Sequence, residues 1–225
     1  MKQLQNIDEY FFRLINSSGW NQMDELMILI SSKWFWIPLY ISILYYLYKT
    51  HQKDFLKILF SIGILIFIAD FGSVKLFKEI FQRTRPCHLL EGIRVVDGCG
   101  GPFGFISSHA ANSFAIAFLI SFLLKRFWWF VSLFSWAALV GFSRVYLGVH
   151  YPFDILVGMF WGLFVSLLVY YIYKMKIKDF DFLWFGWLVL VCIWNFVWPE
   201  VPPIADVLVA VVLSLAVLAI KNRKK

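Results

Sequence analysis

Between Ser143 and Asp154 the chain places Arg144, His150 and Asp154 at the junction of two hydrophobic segments. Charged and titratable groups are costly at membrane depth, so a cluster there reads as a functional site. A guanidinium suits an oxyanion such as phosphate. An imidazole can act as nucleophile or proton carrier. A carboxylate four residues further on can hold that imidazole in one orientation if both lie on the first turn of a helix. The chemistry these types imply is phosphoryl transfer at a membrane surface.

Two further groups carry similar chemistry. Lys78 precedes Arg85-Pro86 by seven residues at the end of a hydrophobic run, and Ser107-Ser108-His109 opens the next one. Lys78, Arg85 and Arg144 form a candidate cationic clamp for phosphate. Ser107 and Ser108 start a helix, whose free N–H groups and positive dipole end favour an anion. His109 can protonate a leaving oxygen or merely cap the helix together with the serines.

The elements that must position these residues are membrane helices. The 225 residues are 61% hydrophobic and only 16% charged, against about 25% charged in a soluble domain. Hydrophobic segments run roughly 26–48, 55–77, 107–124, 127–147, 152–173, 182–198 and 204–220. Most approach the ~20 residues of a spanning helix. The fold class expected is all-α, a polytopic bundle of six or seven spans. Leu4, Ile7, Phe11, Leu14 and Ile15 recur at helical spacing, which predicts an amino-terminal amphipathic helix in the interface, with Trp20 as an anchor. Residues 1–22 are this helix, 23–174 the catalytic membrane domain, and 175–225 a carboxy-terminal hairpin with a basic tail.

The net charge of +7 does not point to nucleic acid, because the basic residues sit between the hydrophobic runs. Lys49, Lys53 and Lys57, then Lys125 and Arg126, then Lys174, Lys176 and Lys178, and finally the tail, fall on one face if the spans alternate. That face is the cytoplasm. Lys78, Arg85, His109, Arg144 and His150 then share the opposite face. Cys87 and Cys99 lie there too, where a disulfide can persist, and one between them is expected. Lys75 and Arg83 are expected to snorkel or meet lipid phosphate. His88 reads as interfacial decoration, and Cys192 as a small apolar filler in a span. Asp70, inside the second span, reads as a hydrogen-bonded acid that fixes helix packing rather than a catalytic group.

These motifs resemble the type 2 phosphatidic acid phosphatase (PAP2) superfamily. Lys78, Arg85 and Pro86 match its first motif, and Ser143, Arg144, His150 and Asp154 its third. In the second, Ser107 and His109 match, while Ile106 and Ser108 stand where the family has proline and glycine. The resemblance implies a metal-independent lipid phosphatase without a cofactor, on the extracytoplasmic side of a bacterial inner membrane. His150 would be the nucleophile, Asp154 its orienting acid and His109 the acid–base group. Lys78, Arg85, Ser107, Ser108 and Arg144 would bind phosphate. The partners implied are membrane lipids and a lipid phosphate. Undecaprenyl diphosphate is the first expectation, with phosphatidylglycerophosphate and lipid A as rivals and transfer to a lipid acceptor as the alternative reaction. The oligomeric state is not legible.

Overall fold

The computed structural model describes residues 2–174, and the segments expected at 182–198 and 204–220, with Cys192, lie outside them. Among the described residues all regular structure is helical, apart from an isolated β-bridge between Thr84 and Phe103. In order come α1 (Lys2–Ser17), α2 (Asn21–Ser31), α3 (Ile37–Thr50), α4 (Phe55–Gly72), α5 (Glu79–Phe81), α6 (Pro86–Leu89), α7 (Ser108–Leu124), α8 (Phe127–Tyr146) and α9 (Pro152–Lys174).

Three helical stretches are long and apolar enough to cross a membrane: Gln52–Phe81, Phe127–Tyr146 and Pro152–Lys174. A fourth exists if the bent pair α2–α3 counts as one span, and α7 is apolar but shorter. The segment expected to be continuous over 26–48 is therefore broken. Its two parts meet at 66°, with a 3-10 turn over Lys33–Trp36 between them. The break has local causes. Ser32 is extended, Lys33 is charged, and Pro38 near the start of α3 cannot donate the N–H that a continuous helix requires.

α7 is the hub. Ala110, Ala111, Phe114, Ala115, Leu119 and Ile120 are buried around its circumference, as in a helix enclosed by others. α9 packs against it through two glycines one turn apart. A Cβ on Gly158 would meet the Ser107 carbonyl at 3.0 Å, and one on Gly162 the Ala111 carbonyl at 2.7 Å. Small residues at i and i+4 let helix backbones approach this closely in lipid. The Ser166 hydroxyl donates to the Ala115 carbonyl at 2.8 Å across the same seam. α4 packs alongside, where Trp161 Nε1 donates to the Ala69 carbonyl at 3.1 Å and its ring fills the space beside Gly72.

α1 docks by a mixed stripe of two polar residues around one aromatic. Asp8, Phe12 and Asn16, spaced four apart, are buried. Asn16 donates to the carbonyls of Arg94 and Tyr146 at 2.8 and 2.9 Å and accepts from Arg94 N–H at 2.8 Å. Its apolar residues Leu4, Ile7, Phe11 and Leu14 remain exposed on other sides.

Candidate functional site

The site forms where four chain segments meet above the α7–α9 seam. α4 supplies the first cation. It passes from α-helix into a π-helical turn over Ser73–Lys78. Residues five apart point to widely separated directions on an α-helix at 3.6 residues per turn, but a π turn closes i to i+5 and brings them together. Ser73 and Lys78 consequently reach the same atom. Lys78 Nζ donates to Ser108 Oγ at 2.8 Å, and the Ser73 hydroxyl lies 2.6 Å from it. Ser108, which stands where the family motif has glycine, thus ties α4 to the start of α7.

Ser107 caps α7 and its hydroxyl accepts from Ala110 N–H. Its own N–H donates to the Asp154 carbonyl at 3.1 Å, which fixes α7 against α9. Ile106 is fully buried.

The loop after α5 delivers two arginines rather than one. Residues 83–85 are extended: Thr84 pairs with Phe103, Arg85 N–H donates to the Pro102 carbonyl and Gly104 N–H to the Arg83 carbonyl. Extension at Arg85 is what a following proline demands. In an extended chain residues i and i+2 face the same way, so Arg83 and Arg85 project together. Arg85 Nη1 lies 3.0 Å from His150 Nε2 and donates to the Val149 carbonyl at 3.2 Å, while Nε donates to the Gly101 carbonyl at 2.8 Å. Arg83 was expected at the lipid surface. It instead bridges two acids, with Nη1 3.0 Å from Asp154 Oδ1 and Nη2 2.7 Å from Asp8 Oδ2. Its guanidinium also lies over the Tyr151 ring at 4.0 Å. Two buried carboxylates offer it more than lipid phosphate at the rim. Cys87 and Cys99 are disulfide-bonded below this loop.

His150 sits on the turn between α8 and α9. Gly148 makes that turn possible. Its φ is +86°, and a Cβ there would strike the Arg94 carbonyl at 2.3 Å. His150 and Asp154 are almost wholly buried. His150 Nδ1 is 3.4 Å from Asp154 Oδ2, which also accepts from Tyr151 N–H at 2.9 Å. A carboxylate at Nδ1 assigns the proton there and leaves the lone pair on Nε2, beside Arg85. Burial is the largest influence on His150 and holds its pKa down to about 4; Asp154 opposes the shift, and Arg85 and Arg144 add to it. The ring is therefore neutral at physiological pH, as a nucleophile must be.

Asp8 completes the network from α1. Its Oδ1 accepts from Phe153 N–H at 2.9 Å, and its carboxyl is pushed up by burial against the pull of that N–H and of Arg83. The extension of the His150–Asp154 pair through Arg83 to Asp8 escaped sequence reasoning because Arg83 and Asp8 are remote in sequence from their partners. The local signal was Arg83-Thr84-Arg85-Pro86, two arginines at strand spacing before a proline.

Arg144 donates through Nη1 to Ser31 Oγ, and its buried Nε has no partner. An oxyanion beside it would satisfy that donor. Arg94, also on the expected outer loop, is structural: it pairs with Asp24 at 2.6 Å and lies against the Tyr146 ring. His88 bonds to the Gly100 carbonyl at 3.1 Å.

His109, one residue into α7, is close enough to Arg144, His150 and Lys78 to feel their charges. It lines the head of a crevice of about 410 Å³ between α3, α4, α7 and α8. Asp70 lies on the same wall and accepts from Asn112 Nδ2 at 2.9 Å. The expected hydrogen-bonded acid is thus present. All the residues expected from the sequence, from Lys78 to Asp154, converge on one end of the bundle.

An all-helical membrane protein with a buried His–Asp pair under three cations defines a class that handles phosphate at the bilayer. The PAP2 superfamily model matches residues 54–178, and the chain belongs to that superfamily. It is 33% identical over 178 residues to the lipid A 4'-phosphatase of Porphyromonas gingivalis, covering 77% of this chain and 75% of the relative. It is 36% identical over 168 residues to the lipid A 4'-phosphatase of Bacteroides thetaiotaomicron, covering 72% and 73%. Among solved structures it resembles the PAP2-type phosphatidylglycerolphosphate phosphatase of Bacillus subtilis, with a TM-score of 0.61 and 26% identity over 80% of this chain and 90% of that one. The chain is a membrane phosphatase.

Proposed function

We propose that the chain hydrolyses a lipid phosphate monoester through a phosphohistidine intermediate. His150 Nε2 attacks phosphorus as the ester bond breaks, and the leaving oxygen takes a proton from His109. Water then gives a proton back to His109 and attacks the phosphohistidine, releasing inorganic phosphate and freeing Nε2. Asp154 holds the Nδ1–H and stabilises the charge that develops on the ring. Lys78, Arg85, Arg144 and the amides at the start of α7 neutralise the phosphoryl oxygens. The observation that carries this reading is His150 itself, with a carboxylate at one ring nitrogen and a guanidinium 3.0 Å from the other.

Lipid A-type monoesters take first place as substrates because two lipid A 4'-phosphatases share a third or more of the aligned residues. Undecaprenyl diphosphate, the first expectation from the sequence, becomes the second. The charge pattern supports a site on the extracytoplasmic face of a bacterial inner membrane, with the lysines of 49–57 and 125–126 inside. In this reading α1 rests in the interface with Leu4, Ile7, Phe11 and Leu14 in lipid, residues 23–174 form the catalytic domain, and 175–225 add a hairpin that brings the spans to six or seven.

The test is phosphate release by purified protein in EDTA from lipid A, undecaprenyl diphosphate, phosphatidylglycerophosphate and phosphatidate. The reading expects activity on lipid A above the rest and none from His150→Ala. Residual turnover in that variant would sink the mechanism.

A further inference from the structure

The crevice beside His109 is apolar over most of its wall, with Trp36, Tyr40, Ile62, Ile66, Ile116 and Ile120 facing it. Along α7 its lining extends from Ser108 to Ile120. At 1.5 Å per residue that is roughly 18 Å, close to the ~15 Å hydrocarbon depth of one leaflet. A lipid whose phosphate lies at His150 can run its chain down this wall.

One turn below His109 the apolar wall is interrupted by Asn112 and Ser113 of α7, with Asp70 of α4 also on the lining. Asn112 gives its N–H to Asp70 at 2.9 Å, and its carbonyl oxygen is buried with no partner. One of the two amide hydrogens goes to Asp70, and the carbonyl oxygen is left to a ligand as an unpaired acceptor. An unpaired buried acceptor is destabilising, and this one is relieved by a ligand that brings an O–H or N–H. A prenyl chain or a simple ester-linked acyl chain brings neither. The position also fits the chemistry: three residues along α7 from the proposed acid, it meets the part of the leaving group next to the cleaved ester.

Resting on the lipid-phosphatase reading of this site, we propose that Asp70 and Asn112 form a donor-reading subsite for the leaving group. It selects phosphate esters of amphiphiles that carry a hydroxyl or an amide N–H near the phosphate, such as an N-acylated amino sugar. Asn112 acts by accepting that hydrogen. Asp70 fixes the Asn112 amide so that its oxygen, not its nitrogen, faces the ligand.

The experiment compares kcat/KM for lipid A and for phosphatidate in the same mixed micelles, for the full chain and for Asn112→Leu and Asp70→Asn. A ratio taken on one preparation does not depend on how much of it folds. The expected result is that the lipid A to phosphatidate ratio falls about tenfold in Asn112→Leu, the worth of one buried hydrogen bond. It falls by less in Asp70→Asn, which keeps a partner for Asn112 but loosens its orientation. A ratio unchanged in both variants, or two rates that fall in parallel, overturns the subsite and leaves the phosphatase reading standing. If the unaltered chain releases phosphate from neither lipid, it is that reading which fails, and the subsite with it.

Discussion

The two imidazoles of the site live in opposite surroundings. His150 is enclosed by a polar network in which Asp154, Arg83, Asp8 and the N–H groups of Tyr151 and Phe153 hold one another. His109 heads an apolar crevice in which Asn112, one turn further along α7, keeps an unpaired acceptor. The difference follows from what each side must do in the proposed reaction. A nucleophile gains from being fixed in one tautomer and one direction before substrate arrives. The leaving-group side must admit a different molecule at every turnover, so its contacts are left for the substrate to complete. Rigidity is concentrated where the chemistry is constant, and openness where identity is read.

The largest expected effect breaks the fixed side at its centre. Asp154→Asn keeps the shape but can present an N–H to Nδ1 and favour the wrong tautomer. By analogy with an orienting acid in hydrolytic triads, kcat should drop about 10³–10⁴-fold. Loss of less than tenfold in a steady-state assay would show that Asp154 does not orient the ring.

Arg83→Gln comes next. Arg83 acts through Asp154, which it holds in place, and an orienting partner of this kind is expected to be worth about 10–100-fold in rate. It has a signature that mere loosening lacks. Removing the guanidinium leaves the charge of Asp154 less balanced, which favours the protonated imidazole. The sign is upward: the acid limb of the kcat/KM profile should move to higher pH, with Asp8→Asn giving a smaller change in rate. An acid limb that stays in place while the rate falls would reduce Arg83 to a packing residue.

In the unaltered protein the same limb is itself informative. With His150 held down to about 4 by burial, the nucleophile stays unprotonated throughout the near-neutral range. The rate should fall on the acid side only as pH drops through that value, not near the usual 6.5 of a free imidazole. A limb centred on 6.5 would mean that His150 is solvated when it reacts.

Much of the fixed side was legible in the sequence because its members are local. His150 and Asp154 are four apart at a helix start, and Lys78, Arg85, Ser107 and Arg144 lie at helix ends whose positions hydropathy reveals. Arg83 and Asp8 were not legible. Their partners are 71 to 145 residues away, and on hydropathy alone an arginine at a bilayer rim reads as snorkelling. The amphipathic pattern of α1 was visible, but not that it docks through Asp8 and Asn16 rather than its apolar face. The break in the first hydrophobic segment was written in Ser32, Lys33 and Pro38, and mean hydropathy averaged over it. The crevice could not be read at all, since it exists only between helices that the chain brings together from far apart.

The disulfide offers the smallest effect and separates two ways of holding the arginines. Cys87 and Cys99 close a loop that contains neither Arg83 nor Arg85. Those residues are held independently, by the backbone bonds of 83–85 to 102–104 and by their own guanidinium contacts. Replacing both cysteines with serine should therefore act on stability more than on catalysis. The lost cross-link is worth about 2–4 kcal/mol by loop-closure reasoning, enough to lower the midpoint of thermal unfolding in detergent. The rate at low temperature should stay within about threefold, since rigidity near His150 comes from the buried ion pairs and not from the loop closure. A collapse of activity as deep as that of Arg83→Gln, at a temperature where the double variant is folded, would move the source of that rigidity from the buried ion pairs to the loop.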